Sequence, residues 1–144
     1  MTPTQHLEKP PSRKQAVGLV TSLYEQVWNQ QQLPVIDDIF AWDVVLHAGG
    51  EPLHGHAEVR QLVATFQEAF PDVRHEVHDV ICEGDKVVVR WSATGTQQGD
   101  WLGIPPTGLE MKYDGISIFR IQGARIAEAW LISDMMGLLQ CLWR

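Results

Sequence analysis

The sequence predicts an α+β fold in which N-terminal helices are wrapped by a strongly curved antiparallel sheet, a cone with a central hydrophobic cavity. Three observations predict it. Apolar residues recur at helical spacing in the first half of the chain and run in four long strand-like segments in the second half. Glu83-Gly84-Asp85 and Gln122-Gly123-Ala124 are turn-forming links short enough to make the strands they join antiparallel. Both faces of those strands are apolar, with Val87, Val89 and Trp91 backed by Val88, and Met111, Tyr113 and Phe119 backed by Ile116 and Ile118. Helices can cover one face, and a second copy of the chain is the expected cover for the other.

Residues 1–11 read as a loose tail, with Pro3, Pro10 and Pro11 among polar residues, and residues 12–144 as a single domain. Ser12 opens a helix whose stripe is Val17, Val20, Tyr24, Val27 and Trp28, ending near Asn29. Tyr24 and Trp28 suit either plain core packing or the lining of a pocket. Pro34 suits the first turn of a short helix with Val35, Ile36, Ile39 and Phe40. Trp42 to His47 reads as a short strand, then a loop, then a helix from about Gly55 that Pro71 ends. Four strands follow, Val73 to Cys82, Lys86 to Gln97, Leu109 to Ile121 and Arg125 to Asp134. A loop stiffened by Pro105 and Pro106 and carrying Trp101 lies between the middle two.

The composition is that of an ordinary globular protein, 44% hydrophobic and 20% charged. With 18 acidic against 11 basic side chains the net charge is -7, which argues against nucleic acid and anionic membranes as partners. There is no signal-peptide pattern and no membrane-length apolar run, so a cytoplasmic protein is expected. Cys82 and Cys141 have no metal-site spacing and read as small core residues. A small hydrophobic molecule is the easiest ligand to reconcile with this balance.

The last strand carries the chemistry. Alternation puts Glu128, Trp130, Ile132 and Asp134 on one face and Ala127, Ala129, Leu131 and Ser133 on the other. If the first face lines the cavity, Asp134 is a desolvated acid suited to proton transfer. If not, Asp134 caps the helix that starts at Met135. His47, His54 and His56 invite a metal reading, which the lack of a flanking carboxylate motif argues against. His47 is instead a candidate ligand contact at a strand end, or a capped or solvent-facing histidine. His75 and His78 point to opposite faces, and Arg90 is expected in an ion pair with Asp114 or Glu128.

Several segments together, in order from about Tyr24 to Leu142, resemble the SnoaL-like polyketide cyclase and ester cyclase family. They are Tyr24 to Asn29, Phe66-Gln67-Glu68-Ala69-Phe70-Pro71-Asp72, Glu83 to Trp91, Gly95-Thr96, Gly103-Ile104-Pro105-Pro106-Thr107-Gly108, and Glu128 to Asp134 followed by Gly137-Leu138-Leu139-Gln140. The resemblance implies a nuclear-transport-factor-2-like cone that forms dimers or tetramers through the outer face of its sheet. It implies ring closure of an aromatic polyketide ester by intramolecular aldol condensation, without metal or organic cofactor, and a proton-transfer role for Asp134. Many members carry a histidine after Gly-Thr, where this chain has Gln97. An amide can orient a carbonyl but cannot exchange a proton near neutral pH.

The expected site is therefore Asp134 as catalytic acid and base, with Tyr24, Trp28, His47, Trp91, Gln97, Trp101, Tyr113 and Trp130 contacting the substrate. Two other functions fit the same scaffold. One is a ligand carrier without catalysis, and the other an isomerase, dehydratase or hydrolase of small ring compounds.

Overall fold

The computed structural model describes residues 11–143, so the tail expected over residues 1–11 lies, but for Pro11, outside them. The first helix, α1, spans Arg13–Ser22 and opens on a reciprocal cap: the Ser12 hydroxyl accepts from the Gln15 amide, and the Gln15 side chain accepts from the Ser12 amide, both at 3.1 Å. It then widens into π-helical turns over Leu23–Asn29, which carry Tyr24 and Trp28. Such a segment leaves carbonyls without their usual partners. The buried Gln67 amide supplies them, donating to the carbonyls of Val27 at 3.0 Å and Trp28 at 3.4 Å.

A tight turn at Leu33–Val35 leads into the one-turn α2, Ile36–Ile39, and β1 follows at Phe40–His47. Phe40 thus opens a strand rather than closing a helix. β2 is the pair Leu53–His54, and α3 runs over Gly55–Ala69 to the stop set by Pro71. The long strands are β3 (Arg74–Glu83), β4 (Lys86–Thr96), β5 (Glu110–Gln122) and β6 (Arg125–Ser133), and α4 (Met135–Leu142) closes the fold.

The sheet order is β2-β1-β6-β5-β4-β3. Neighbours are antiparallel except β1 and β6, which run parallel, Leu46 opposite Ala129 and His47 opposite Trp130. That pairing departs from the all-antiparallel expectation, and it closes the early half of the chain against the late half. Val87, Val89 and Trp91 of β4, Tyr113, Ser117 and Phe119 of β5, and Ala129 of β6 face inward and are buried against α1 and α3. β3 keeps its apolar side inward across an irregularity: Val77 pairs with Trp91, but Asp79 pairs with Arg90, leaving His78 as the extra residue. His75 before the bulge and Val80 and Cys82 after it can therefore all turn toward the core. Among the described residues no helix is long and apolar enough to cross a membrane.

Candidate functional site

A hollow of about 110 Å³ lies between the π-helical end of α1, α3 and the concave side of the sheet. Tyr24 and Trp28 enter it from α1, Phe66 from α3, His75 from β3, Trp91 from β4, and Tyr113 and Ser117 from β5. Leu131, Ser133 and Met135 supply the wall beneath the last strand, and Trp101 reaches in from the loop between β4 and β5. The rings pack edge on, with Trp91 at 5.3 Å and 86° to Tyr113, and Phe66 at 4.9 Å and 82° to Trp101.

Local structure explains each placement. Trp91 lies flat over β5 because residue 115 is glycine; a Cβ there would collide with the indole. Its Nε1 donates to the Ser117 hydroxyl at 3.0 Å. Trp101 heads a tight turn closed by bonds to Ile104 in both directions, 3.0 and 2.8 Å, with Leu102 and Gly103 at φ 49° and 81°. The turn exposes Leu102 and sends Trp101 inward. His75 is fixed through its backbone: the Asn29 side chain donates to its carbonyl at 3.0 Å and accepts from its amide at 2.7 Å.

The lining is electrically neutral. Burial pushes the His75 imidazole down to about 3, so it is uncharged at neutral pH. Burial raises the Tyr24 and Tyr113 phenols above their ordinary value, the nearby Ser117 hydroxyl offsetting part of the effect at Tyr24. Among the described residues no Asp, Glu, Lys or Arg lines the hollow. Two buried polar atoms there find no hydrogen-bond partner among the described residues, His75 Nδ1 and Trp101 Nε1.

Tyr24, Trp28, Trp91, Trp101 and Tyr113 are thus brought together as the sequence suggested. The other four expected site residues are not. Asp134 is exposed, and its carboxylate caps α4 by accepting from the Gly137 amide at 2.9 Å; the desolvated acid inside the cavity is corrected to a helix cap next to it. The alternation holds from Glu128 to Ser133 but breaks at Ala127, the extra residue of a bulge between Ile126 and Glu128; the inward face is the one with Ala129, Leu131 and Ser133, which turns Trp130 to the outside. There Trp130 stacks on His47 at 5.4 Å and 13°, and His47 Nε2 lies 2.7 Å from Glu128. Glu128 also accepts from Arg120 at 3.3 Å. The His47 hydrogen bond, first, and the Arg120 guanidinium hold the Glu128 carboxyl below its usual range. His47 and Trp130 are therefore outer-face residues.

Gln97 is fully buried, with its side chain spent on its own loop. Its amide donates to the carbonyls of Gly99 and Ile104 at 3.0 Å, and its oxygen accepts from the Thr107 amide and hydroxyl at 3.2 and 2.7 Å. It is not among the residues that line the hollow, and its bonds hold the loop that carries Trp101. His56 bonds the Phe40 carbonyl, so His47 and His56 serve different partners. Arg90 pairs with Asp79 at 2.6 Å, not with Asp114 or Glu128. Sequence reasoning missed Phe66 as a lining residue, and it missed His75. The signal for His75 was its position next to the Asn29 clamp, which no spacing rule encodes.

Comparison with known proteins follows the same geometry. The model of the SnoaL-like polyketide cyclase family matches residues 18–142. A candidate polyketide cyclase from Acidithiobacillus ferrooxidans is similar at 30% identity and TM-score 0.80, over 92% of this chain and 96% of that one. IdmH, a candidate polyketide cyclase from Streptomyces antibioticus, is similar at 29% identity and TM-score 0.78, over 89% and 98%. AclR from Streptomyces galilaeus, designated a candidate hydroxylase, is similar at 27% identity and TM-score 0.82, over 91% and 97%. Among curated proteins none matches the chain.

Proposed function

Since the chain belongs to the SnoaL-like polyketide cyclase family, we propose that its aromatic hollow holds a small, uncharged, largely flat substrate and that the protein closes a ring on it through an enolate. The observation that carries this reading is the hollow itself, a pocket walled by indole and phenol rings with no ionised group. Such walls favour a conjugated guest whose own carbonyls spread the charge of an enolate, and they exclude water from it. Asp134 stands between two lining residues, Ser133 and Met135. In this reading it takes the substrate proton at the rim and returns it after ring closure, releasing the Gly137 amide as it does so. The residues of the chain supply the chemistry without a metal or organic cofactor.

A second reading, a binder without turnover, is favoured by one observation: the exposed Asp134 leaves the hollow with no ionised residue inside. Asp134→Asn separates the two, because asparagine also caps a helix. Candidate cyclic ketones and polyketide esters are assayed for affinity and turnover in both proteins. Binding kept with turnover lost supports the cyclase; equal turnover removes Asp134 from the mechanism; binding with no turnover in either protein supports the binder. AclR's designation as a hydroxylase is a reminder that one cone can host several chemistries.

The outer sheet face supports self-association. Register aligns Ile81, Val88, Ile118, Trp130 and His47 in one row across five strands, and Ile116 and Ile132 pair beside it. Ile81 is 63% and Ile132 74% exposed, an apolar band flanked by the Arg90–Asp79 and Arg120–Glu128 pairs. A second copy laid on this band would bury it. In the same reading the protein acts in the cytoplasm, on a small molecule.

A further inference from the structure

We propose that His75 and Trp101 form a two-point hydrogen-bonding site inside the hollow for a neutral ring compound bearing both a carbonyl and a hydroxyl or second carbonyl. The inference rests on the reading that the hollow is the ligand site, and it goes further by stating what the ligand must carry. Native proteins leave few buried polar atoms unpaired, because each one costs free energy. Here two occur on residues that line one small cavity, His75 Nδ1 and Trp101 Nε1, the residues being 5% and 8% exposed. Their residues are linked around one wall by ring contacts, tilted and then edge-on: His75 lies 4.6 Å from Trp28, Trp28 5.8 Å from Phe66, and Phe66 4.9 Å from Trp101.

The two atoms ask for different things. An indole nitrogen only donates, so Trp101 requires an acceptor such as a carbonyl or ether oxygen. A neutral imidazole nitrogen donates or accepts by choice of tautomer, so His75 takes either a hydroxyl or a second carbonyl. Both are held in place from behind, His75 by the Asn29 clamp on its backbone and Trp101 by its tight turn and the Gln97 network. Rigid placement of this kind is what a specificity contact needs. A carboxylate, phosphate or ammonium on the ligand would lose its hydration with no opposite charge in the lining, which excludes those classes. At about 110 Å³ the hollow is smaller than an empty apolar cavity of about 150 Å³ that takes benzene, so a one-ring ligand fills it and its substituents reach past the rim. A multi-ring ligand would have to displace the Trp101 turn.

The test is an NMR titration of the full chain at pH 7 with 3-hydroxyacetophenone, with 3-ethyltoluene, which has a similar outline and no oxygen, and with 3-methylbenzoate. The hydroxyketone is expected to move the Trp101 indole N–H resonance downfield, the hydrocarbon to bind without doing so, and the benzoate not to bind. His75→Phe should weaken the hydroxyketone roughly tenfold and leave the hydrocarbon unchanged. His75→Leu provides the same comparison should phenylalanine overpack the site. Hydrocarbon binding in the hollow with a hydroxyketone that neither shifts Trp101 nor responds to His75 replacement overturns the inference alone. Failure of both neutral probes to perturb any lining resonance overturns the hollow as a ligand site and the inference with it.

Discussion

Replacing His75 with phenylalanine should change how stability depends on pH. The folded protein holds this imidazole, 5% exposed, at a pKa of about 3 against 6.5 in the open chain. Below 6.5 the unfolded chain binds a proton that the folded chain refuses. The contribution of the neutral ring is therefore complete above 6.5 and is lost as the pH falls toward 3, at about 1.4 kcal/mol per pH unit. From pH 7 to 5 that amounts to about 2 kcal/mol, a large part of the stability of a domain this size. Glu128, held below its usual range by His47 and Arg120, also loses stability on acidification, but its window opens only below its ordinary value of 4.5. Urea denaturation at pH 7, 6 and 5 reads the term directly, and the remaining histidines cancel when the two proteins are subtracted. The wild type should lose about 2 kcal/mol more than His75→Phe between pH 7 and 5. At pH 7 the variant should be at least as stable, since it no longer buries an unpaired nitrogen. Parallel profiles would refute the reasoning.

Other consequences follow from single contacts. Asp134→Ala should cost about 1 kcal/mol through the lost cap while Asp134→Asn costs little, a difference that thermal unfolding resolves. Gln97→Leu strips partners from the Gly99 and Ile104 carbonyls and from Thr107; hydrogen exchange should quicken at Gln98 and Thr107 and Trp101 fluorescence should shift red, whereas unchanged protection would contradict its positioning role. Gly115→Ala drives a methyl into Trp91 and should destabilise by about 1–3 kcal/mol, with Trp91→Leu in the same chain relieving part of it. Sedimentation should show a dimer that Ile132→Asp dissociates without altering the hollow, and a wild-type monomer at high concentration would end the outer-face proposal.

Much of this architecture was legible because local physics and tertiary packing agree. Ser12 with Gln15 announces a cap, Pro71 a stop, and the Glu83-Gly84-Asp85 and Gln122-Gly123-Ala124 links the antiparallel strands that form. Periodicity also gave the rings of Tyr24, Trp28, Trp91 and Tyr113, since each sits on the apolar side of its element. What periodicity cannot do is say which of two apolar faces is inside. From Glu128 to Ser133 the alternation of β6 was right and its sense reversed, so Trp130 and His47 came out on the outer face and Ser133 took the inner one, while the bulge at Ala127 interrupts it earlier. Asp134 ends the strand, where alternation gives way to the cap that starts α4. The parallel pairing of β1 with β6 joins segments some eighty residues apart and leaves no local mark. Gln97 looked like a pocket residue because its neighbours are; its four hydrogen bonds exist only once the loop is closed.

The most direct measurement is a crystal structure of the protein soaked with a neutral hydroxyketone of one ring. The account predicts the ligand among Trp28, Trp91 and Tyr113, with an oxygen within hydrogen-bond distance of Trp101 Nε1. Ligand bound instead in the surface groove between α1 and the β5–β6 turn, with the aromatic hollow unaltered, would contradict it.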